Sequence, residues 1–244
     1  MLRQILLLLT FASLITASFA QKPRKHLFSK TRAVDSLALV VYEDSMRSVI
    51  RDSIDAMLFH DSFVDNRNVW PVKATDDVVA LVENGAYQVR NKNGKQGAFL
   101  LRQMPIMAPS NPFYVEVALT HDSGPKNMGY GLVWGVTGDQ KSYYALLISA
   151  NRQYTILEVR DGRFRDIKRW TESKLVYPSG KPNLLGIRLV GDLLEFHING
   201  RMVFKTRYIP TGGQQSGLVV YGKQKVDADH FFVRDPQAWP IISR

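Results

Sequence analysis

Hydrolysis of a glycosidic bond needs two carboxylates facing one another, about 5 to 10 Å apart. On a β-strand two side chains share a face only at even spacing. Glu116, Glu158 and Glu195 each stand alone in their apolar-alternating stretches, so none forms such a pair within one strand. Asp227 and Asp229 have the spacing but read as turn and edge residues opening the last stretch. The histidines, His26, His60, His121, His197 and His230, form neither His-x-His nor His-Glu-x-x-His, which leaves a transition-metal site without support. Neither a Gly-x-Ser-x-Gly elbow nor a phosphate-cradling glycine loop occurs. The chain therefore reads as a binding protein before an enzyme.

Aromatic residues are the stronger candidates. Tyr130, Leu132 and Trp134 alternate onto one face of their strand, and Gly129, Gly131, Val133 and Gly135 onto the other. Small residues along one face mean that something approaches closely there, or that the sheet curves. Tyr143, Tyr144 and Tyr154 fall on adjoining strands, and the consecutive pair Tyr143 and Tyr144 must point to opposite faces. Flat rings beside Arg152, Gln140 and Lys141 would offer a sugar an apolar plane with donors at its edge. The candidate ligand-binding set is Tyr130, Trp134, Tyr143, Tyr144, Arg152 and Tyr154. The competing reading is that these rings are sandwich core, most of all Trp134.

The elements that would hold these residues follow from periodicity. Apolar residues recur at helical spacing from 33 to about 58 (Val34, Leu37, Val41, Val49, Ile50, Ile54, Leu58), with charges on the opposite side. Such an amphipathic helix can lie on the rest of the protein, pair with a copy of itself, or dock on a partner protein. After Asp61 the period becomes 2. Stretches at 78–82, 86–90, 113–120, 129–137, 143–150, 153–160, 163–170, 184–190, 193–199, 202–208, 216–221 and 226–233 alternate as strands. Asn84-Gly85, Asp161-Gly162, Gly191-Asp192 and Asn199-Gly200 mark tight turns between them. About a dozen short strands without intervening helices exclude a parallel α/β fold and leave an antiparallel sandwich or barrel.

The ends and the composition bound the setting. Residues 1–20 carry Arg3, an apolar run and Ser18-Phe19-Ala20, the pattern of a cleaved signal peptide, and imply a secreted, periplasmic or cell-envelope protein. No later run reaches the roughly 18 apolar residues of a membrane helix. With no cysteine, disulfides and thiolate metal sites are excluded. The net charge is +10, part of it in Lys22, Arg24, Lys25, Lys30 and Arg32 of a basic linker at 21–32. That cluster suits either an arm for anionic surfaces or a solvated leader; nothing in it matches a nucleic-acid recognition motif. The expected organisation is a leader (1–20), the linker (21–32), an amphipathic helix (33–60), a β-sandwich (61–234) and a tail (235–244).

Four stretches resemble a known superfamily. Phe63-Val64-Asp65-Asn66 with Trp70 resembles the opening strand of concanavalin A-like (laminin-G-like) jelly rolls, and Gly129-Tyr-Gly-Leu-Val-Trp-Gly through Tyr143-Tyr144 resembles their central strands. Residues 183–200 resemble the hairpin ending in Asn-Gly. Gly217-Leu-Val-Val-Tyr through Asp229-His-Phe-Phe-Val resembles the last strand, which returns beside the first. The resemblance implies an all-β, antiparallel two-sheet jelly-roll sandwich of about 12 strands behind one amphipathic helix. Lectins, glycan hydrolases and interaction domains share that fold. Jelly-roll glucanases carry a Glu-x-Asp-x-(x)-Glu strand that this chain lacks. Many relatives hold a structural calcium ion, for which Asp65 and Asp229 are the candidate ligands; no other cofactor is implied. The expected function is a non-catalytic module binding a polysaccharide or other glycan. One alternative is an envelope scaffold that meets protein partners, or a second copy of itself, through helix 33–58. A sugar hydrolase of the 3-keto-glycoside type is the other.

Overall fold

The computed structural model describes residues 57–104 and 112–235. The expected leader, basic linker and tail beyond 235, and the part of the expected helix up to residue 56, lie outside them. The described residues form fifteen strands and no helix. Twelve match the alternating stretches: β3 (Val78–Glu83), β4 (Ala86–Asn91), β6 (Phe113–Ser123), β7 (Gly129–Val136), β8 (Tyr143–Ser149), β9 (Gln153–Arg160), β10 (Arg163–Glu172), β11 (Asn183–Val190), β12 (Leu193–Ile198), β13 (Arg201–Arg207), β14 (Gln215–Val220) and β15 (Gln224–Arg234). Asn84-Gly85, Asp161-Gly162 and Asn199-Gly200 all adopt positive φ, as two-residue hairpin turns that match strand twist require.

Three strands have no counterpart in the sequence reading. β1 (Met57–Asp61) takes the residues that continue the helical spacing, so the helix cannot run to 58 or 60. A run of four or five residues fits either period, and pairing with β15 decides it. β2 (Lys73–Ala74) is only two residues long. β5 (Ala98–Gln103) holds the unbroken apolar run Ala-Phe-Leu-Leu because both of its faces are covered to some degree.

The strands build two antiparallel sheets. One has nine strands in the order β13-β12-β11-β6-β15-β4-β3-β2, with β1 also paired to β15. The other has six, in the order β10-β9-β8-β7-β14-β5. The closing strand β15 lies mid-sheet, against β6 on one side and β4 and β1 on the other. Inner faces meet in one core, in which Val115, Ile187 and Phe196 of the first sheet join Leu132, Leu146 and Leu218 of the second. A smaller apolar cluster, including Val133, Tyr143, Ala145 and Val219, occupies the outer face of the six-stranded sheet. β10 ends that sheet with Arg163, Arg165, Lys168 and Arg169, charges that discourage pairing with another chain.

Candidate functional site

The aromatic platform expected from the sequence does not form. Tyr130, Trp134, Tyr144 and Tyr154 do share a face, but it is the inner one, and all four lie in the core. Tyr143 alone points outward, into the second apolar cluster with Phe99 and Tyr221, and is only 3% exposed. Arg152 sits in the turn after β8 and donates through Nε to the Val176 carbonyl at 3.3 Å. Alternation decides which residues travel together; it does not say which face meets the other sheet.

The acids correct the reading in the opposite direction. Register across three adjacent strands aligns Glu116 of β6 with Gly186 of β11 and His197 of β12. The neighbouring row is Tyr114, Arg188 and Glu195. On the other side of β6, β15 sets Phe232 opposite Glu116 and Arg234 opposite Tyr114. The residues between them (Val115, Ile187, Phe196, Val233) are core, so all of these side chains project from the outer face of the nine-stranded sheet.

They touch one another. The Tyr114 hydroxyl donates a short hydrogen bond to Glu116, which is 7% exposed. His230 Nε2 lies 3.6 Å from Glu116 Oε1. Glu195 Oε2 meets His197 Nε2 at 3.3 Å and Arg188 Nη1 at 3.5 Å. His197 stands edge-on to the Tyr114 ring, with centroids 6.2 Å apart. Phe232 stacks on His230 at 5.6 Å, and the Arg234 guanidinium lies 4.9 Å from the Tyr114 centroid and 5.0 Å from that of Phe232. Gly186 is required in the middle, because a Cβ there would run into the Tyr114 ring and hydroxyl. Burial, and then the Glu116 charge, pushes the Tyr114 hydroxyl far up, so it stays a proton donor.

This face alternates acceptors (Glu116, Glu195) with donors (Arg188, Arg234, the imidazoles) around two aromatic rings. Within-strand spacing could not reveal it, since its acids stand on different strands. The usable signal was the outward parity of Glu195-Phe-His197 and of His230-Phe-Phe232-Val-Arg234. Asp227, taken for an edge residue, is half-buried in a central strand, and burial raises its carboxyl. Asp229 is the extra residue of a bulge between Ala228 and His230. The charged neighbour of Asp229 is His230, whereas Asp65, in the turn after β1, is held by Arg67 at 2.6 Å.

Glu158 is also built in. It is 3% exposed and binds Arg160 Nε at 2.7 Å, Arg165 and the Tyr144 hydroxyl. Burial alone would raise its carboxyl, but those hydrogen bonds outweigh burial and hold it below the ordinary range. Tyr144 and Arg160 also reach the Ile209 carbonyl, so this cluster ties β8 and β9 to the segment after β13. Beside it lies a cleft of about 490 Å³ floored by Arg163, Phe164 and Arg165.

The buried His121 and the partly buried His197 give the fold a pH dependence of definite sign. Desolvation lowers both His121 and His197 from 6.5. The unfolded chain therefore takes up protons near pH 6.5 that the folded chain refuses, so this part of the stability is complete above pH 6.5 and shrinks below it. Asp227 and Asp229, raised from 3.8, act with the opposite sign at lower pH. The melting temperature is expected to fall on going from pH 7.5 to 5.5, and less so in His197→Gln. A flat or rising profile would contradict the assignment.

No family model matches the chain, and no curated protein matches it. Solved structures do. One comes from a study of endo-acting O-glycanases that members of the human gut microbiota express to initiate mucin breakdown. It is 10% identical, with a TM-score of 0.55 over 73% of this chain and 99% of that one. The catalytic domain of an endo-1,3-β-glucanase (laminarinase) from Thermotoga petrophila is 12% identical, with a TM-score of 0.51 over 74% and 98%. A functionally unknown protein from Saccharomyces cerevisiae is 12% identical, with a TM-score of 0.51 over 69% and 96%. At such identities the likeness concerns the fold alone, an all-β sandwich of two antiparallel sheets that these proteins share.

Proposed function

We propose that this sandwich is a glycan-binding module and that its ligand lies on the outer face of the nine-stranded sheet. The carrying observation is the ring of carboxylates, guanidinium groups and imidazoles around Tyr114 and Phe232. A sugar presents an apolar ring face together with hydroxyls that both donate and accept, and such a surface answers each. Glu195 and Arg188 take the hydroxyls, the half-buried Phe232, between His230 and Arg234, gives the apolar contact, and Glu116, fixed by Tyr114, holds the centre. The O-glycanase and laminarinase likenesses support a glycan-related role.

The test is calorimetric titration of the full chain against a panel of soluble polysaccharides and oligosaccharides, with and without calcium. Phe232→Ala and Glu195→Gln are expected to weaken a selective ligand by about tenfold or more, the worth of one charge-assisted hydrogen bond or one lost ring contact. Their melting temperatures should stay near that of the parent. Undiminished binding in both variants would remove the ligand from this face. A blank panel would favour the protein-interaction reading through helix 33–58. Release of reducing ends, abolished by Glu116→Gln, would make the module an enzyme. A calcium requirement lost in Asp65→Asn and Asp229→Asn would place the ion.

A further inference from the structure

The same outer face continues along β15 into a second, strongly basic feature. Register puts Lys225 directly opposite Arg90 of β4 on one side and Ser123 of β6 on the other. With Lys92, Gly124 and Lys223 these residues line a cleft of about 340 Å³ that has four cationic side chains and no carboxylate in its wall. Two cations placed face to face across a ladder repel, an arrangement that costs stability unless an anion relieves it. Relief from within is partial. Lys225 Nζ lies 3.5 Å from Asp122 and 3.6 Å from Asp227, and Lys92 Nζ goes to the Thr75 carbonyl at 3.0 Å. Among the described residues no ion pair engages Arg90 or Lys223.

The floor of this cleft is fixed. The Asn91 amide donates to the carbonyls of Gln96 and Val220, both at 2.8 Å. The Gln224 amide donates to the Gly129 and Tyr221 carbonyls. Its Oε1 is buried with no donor. Arg90 and Lys225 therefore stand on strands over a hydrogen-bonded base, with Lys92 and Lys223 in the turns beside it, and the volume is in the range of small-ligand sites.

We infer that the glycan is acidic, and that this cleft receives its uronate carboxylate or sulfate ester while a sugar several units further along the same chain meets Phe232. The inference rests on the glycan reading above and names its ligand class. From Lys225 to Phe232 is seven positions of one strand, roughly 23 Å at about 3.3 Å per residue. A linear polysaccharide laid along β15 reaches both ends, and two weak subsites on one chain give the selectivity that neither gives alone.

Four probes decide it: polygalacturonate, dextran sulfate, neutral dextran and poly-glutamate, each titrated into the full chain at low and high salt. At least one acidic polysaccharide should bind with a steep salt dependence and outbind both neutral dextran and poly-glutamate. The double variant Arg90→Glu/Lys223→Glu should lose about tenfold or more, while Arg201→Glu, a charge reversal on the distant strand β13, should lose little beyond the general field effect. If Arg90→Glu/Lys223→Glu binds as the parent while Phe232→Ala does not, the acidic-ligand inference fails and the glycan reading stands. Loss in the cleft variant without loss in Phe232→Ala keeps the acidic cleft and removes the outer-face site. Equal binding of poly-glutamate reduces the cleft to a general polyanion surface and overturns the inference. Failure of every polysaccharide sinks both.

Discussion

Replacement of Trp70 by alanine is expected to destabilise the fold by about 3–5 kcal/mol, the range for large aromatic side chains removed from a packed interior. Trp70 is 1% exposed and sits among Phe63, Tyr87 and Phe231, with ring centroids 5.5, 5.4 and 5.1 Å away. Its indole N–H donates to Asp61 Oδ2 at 2.8 Å, and Asp61 Oδ1 accepts the Phe63 backbone N–H at 2.7 Å. Alanine would leave both a void and a buried carboxylate short of one donor, and the two costs add. The cluster also holds Phe63 in left-handed backbone, an unfavourable conformation that persists only because the packing over-determines it; the exposed Val69, also left-handed, is held by its N–H bond to the Asn66 carbonyl at 2.9 Å. Urea unfolding followed by circular dichroism gives the number. Trp70→Phe separates the terms: it keeps most of the volume, loses the hydrogen bond, and is expected to cost about 1–3 kcal/mol. A Trp70→Ala variant within 1 kcal/mol of the parent would mean that the box does not hold β1 and its following turn in place.

The sequence marked Phe63, Asp65, Asn66 and Trp70 as one local unit but as an opening strand, whereas they form the turn after β1, and the reason marks the boundary of what else was legible. Phe63, Asp65, Asn66 and Trp70 are close in the chain, and the loop they form is closed by Asn66 bonding Trp70 at both its N–H and its carbonyl. The tight turns and alternating strands are equally local, and twelve strands followed from them. β1 was misread because its few residues satisfy two periods at once, and only the distant partner β15 chooses. The outer-face site depends on a longer reach. Gly186 and His197 are set opposite by a legible hairpin. Glu116 and Phe232 join their row only through pairings of β11 and β15 with β6, across about 70 and 116 residues of sequence. Parity also misled at Trp134 and Tyr144: it grouped them correctly and was silent on whether their face looked to solvent or to the other sheet.

The glycine face of β7 provides the sharpest test of that point, because its small residues pointed either to a close approach or to a curved sheet without saying which. Gly131→Ala is expected to cost about 3 kcal/mol, the upper end of overpacking penalties. A Cβ at residue 131 would collide with the Leu146 carbonyl oxygen and come within 2.9 Å of Leu147 Cα, all of it backbone of β8. β7 cannot retreat, since Gly131 is paired to Leu147 on one side and to Val219 on the other. Gly129→Ala, on the same face of the same strand, should cost under about 1 kcal/mol of added strain. Its Cβ would press on the ring edge of Trp170 at 3.2 Å and touch Leu147 Cδ1 at an ordinary 3.6 Å, and the Trp170 side chain, 44% exposed, has solvent to swing into. Thermal and chemical unfolding of the two variants side by side measures the difference. If the two cost the same, the neighbouring strand is not the constraint at Gly131. If they differ as expected, the small residues of β7 are there for strand-to-strand fit, and a ligand is better sought on the opposite sheet, where Glu116, Glu195 and Phe232 face outward.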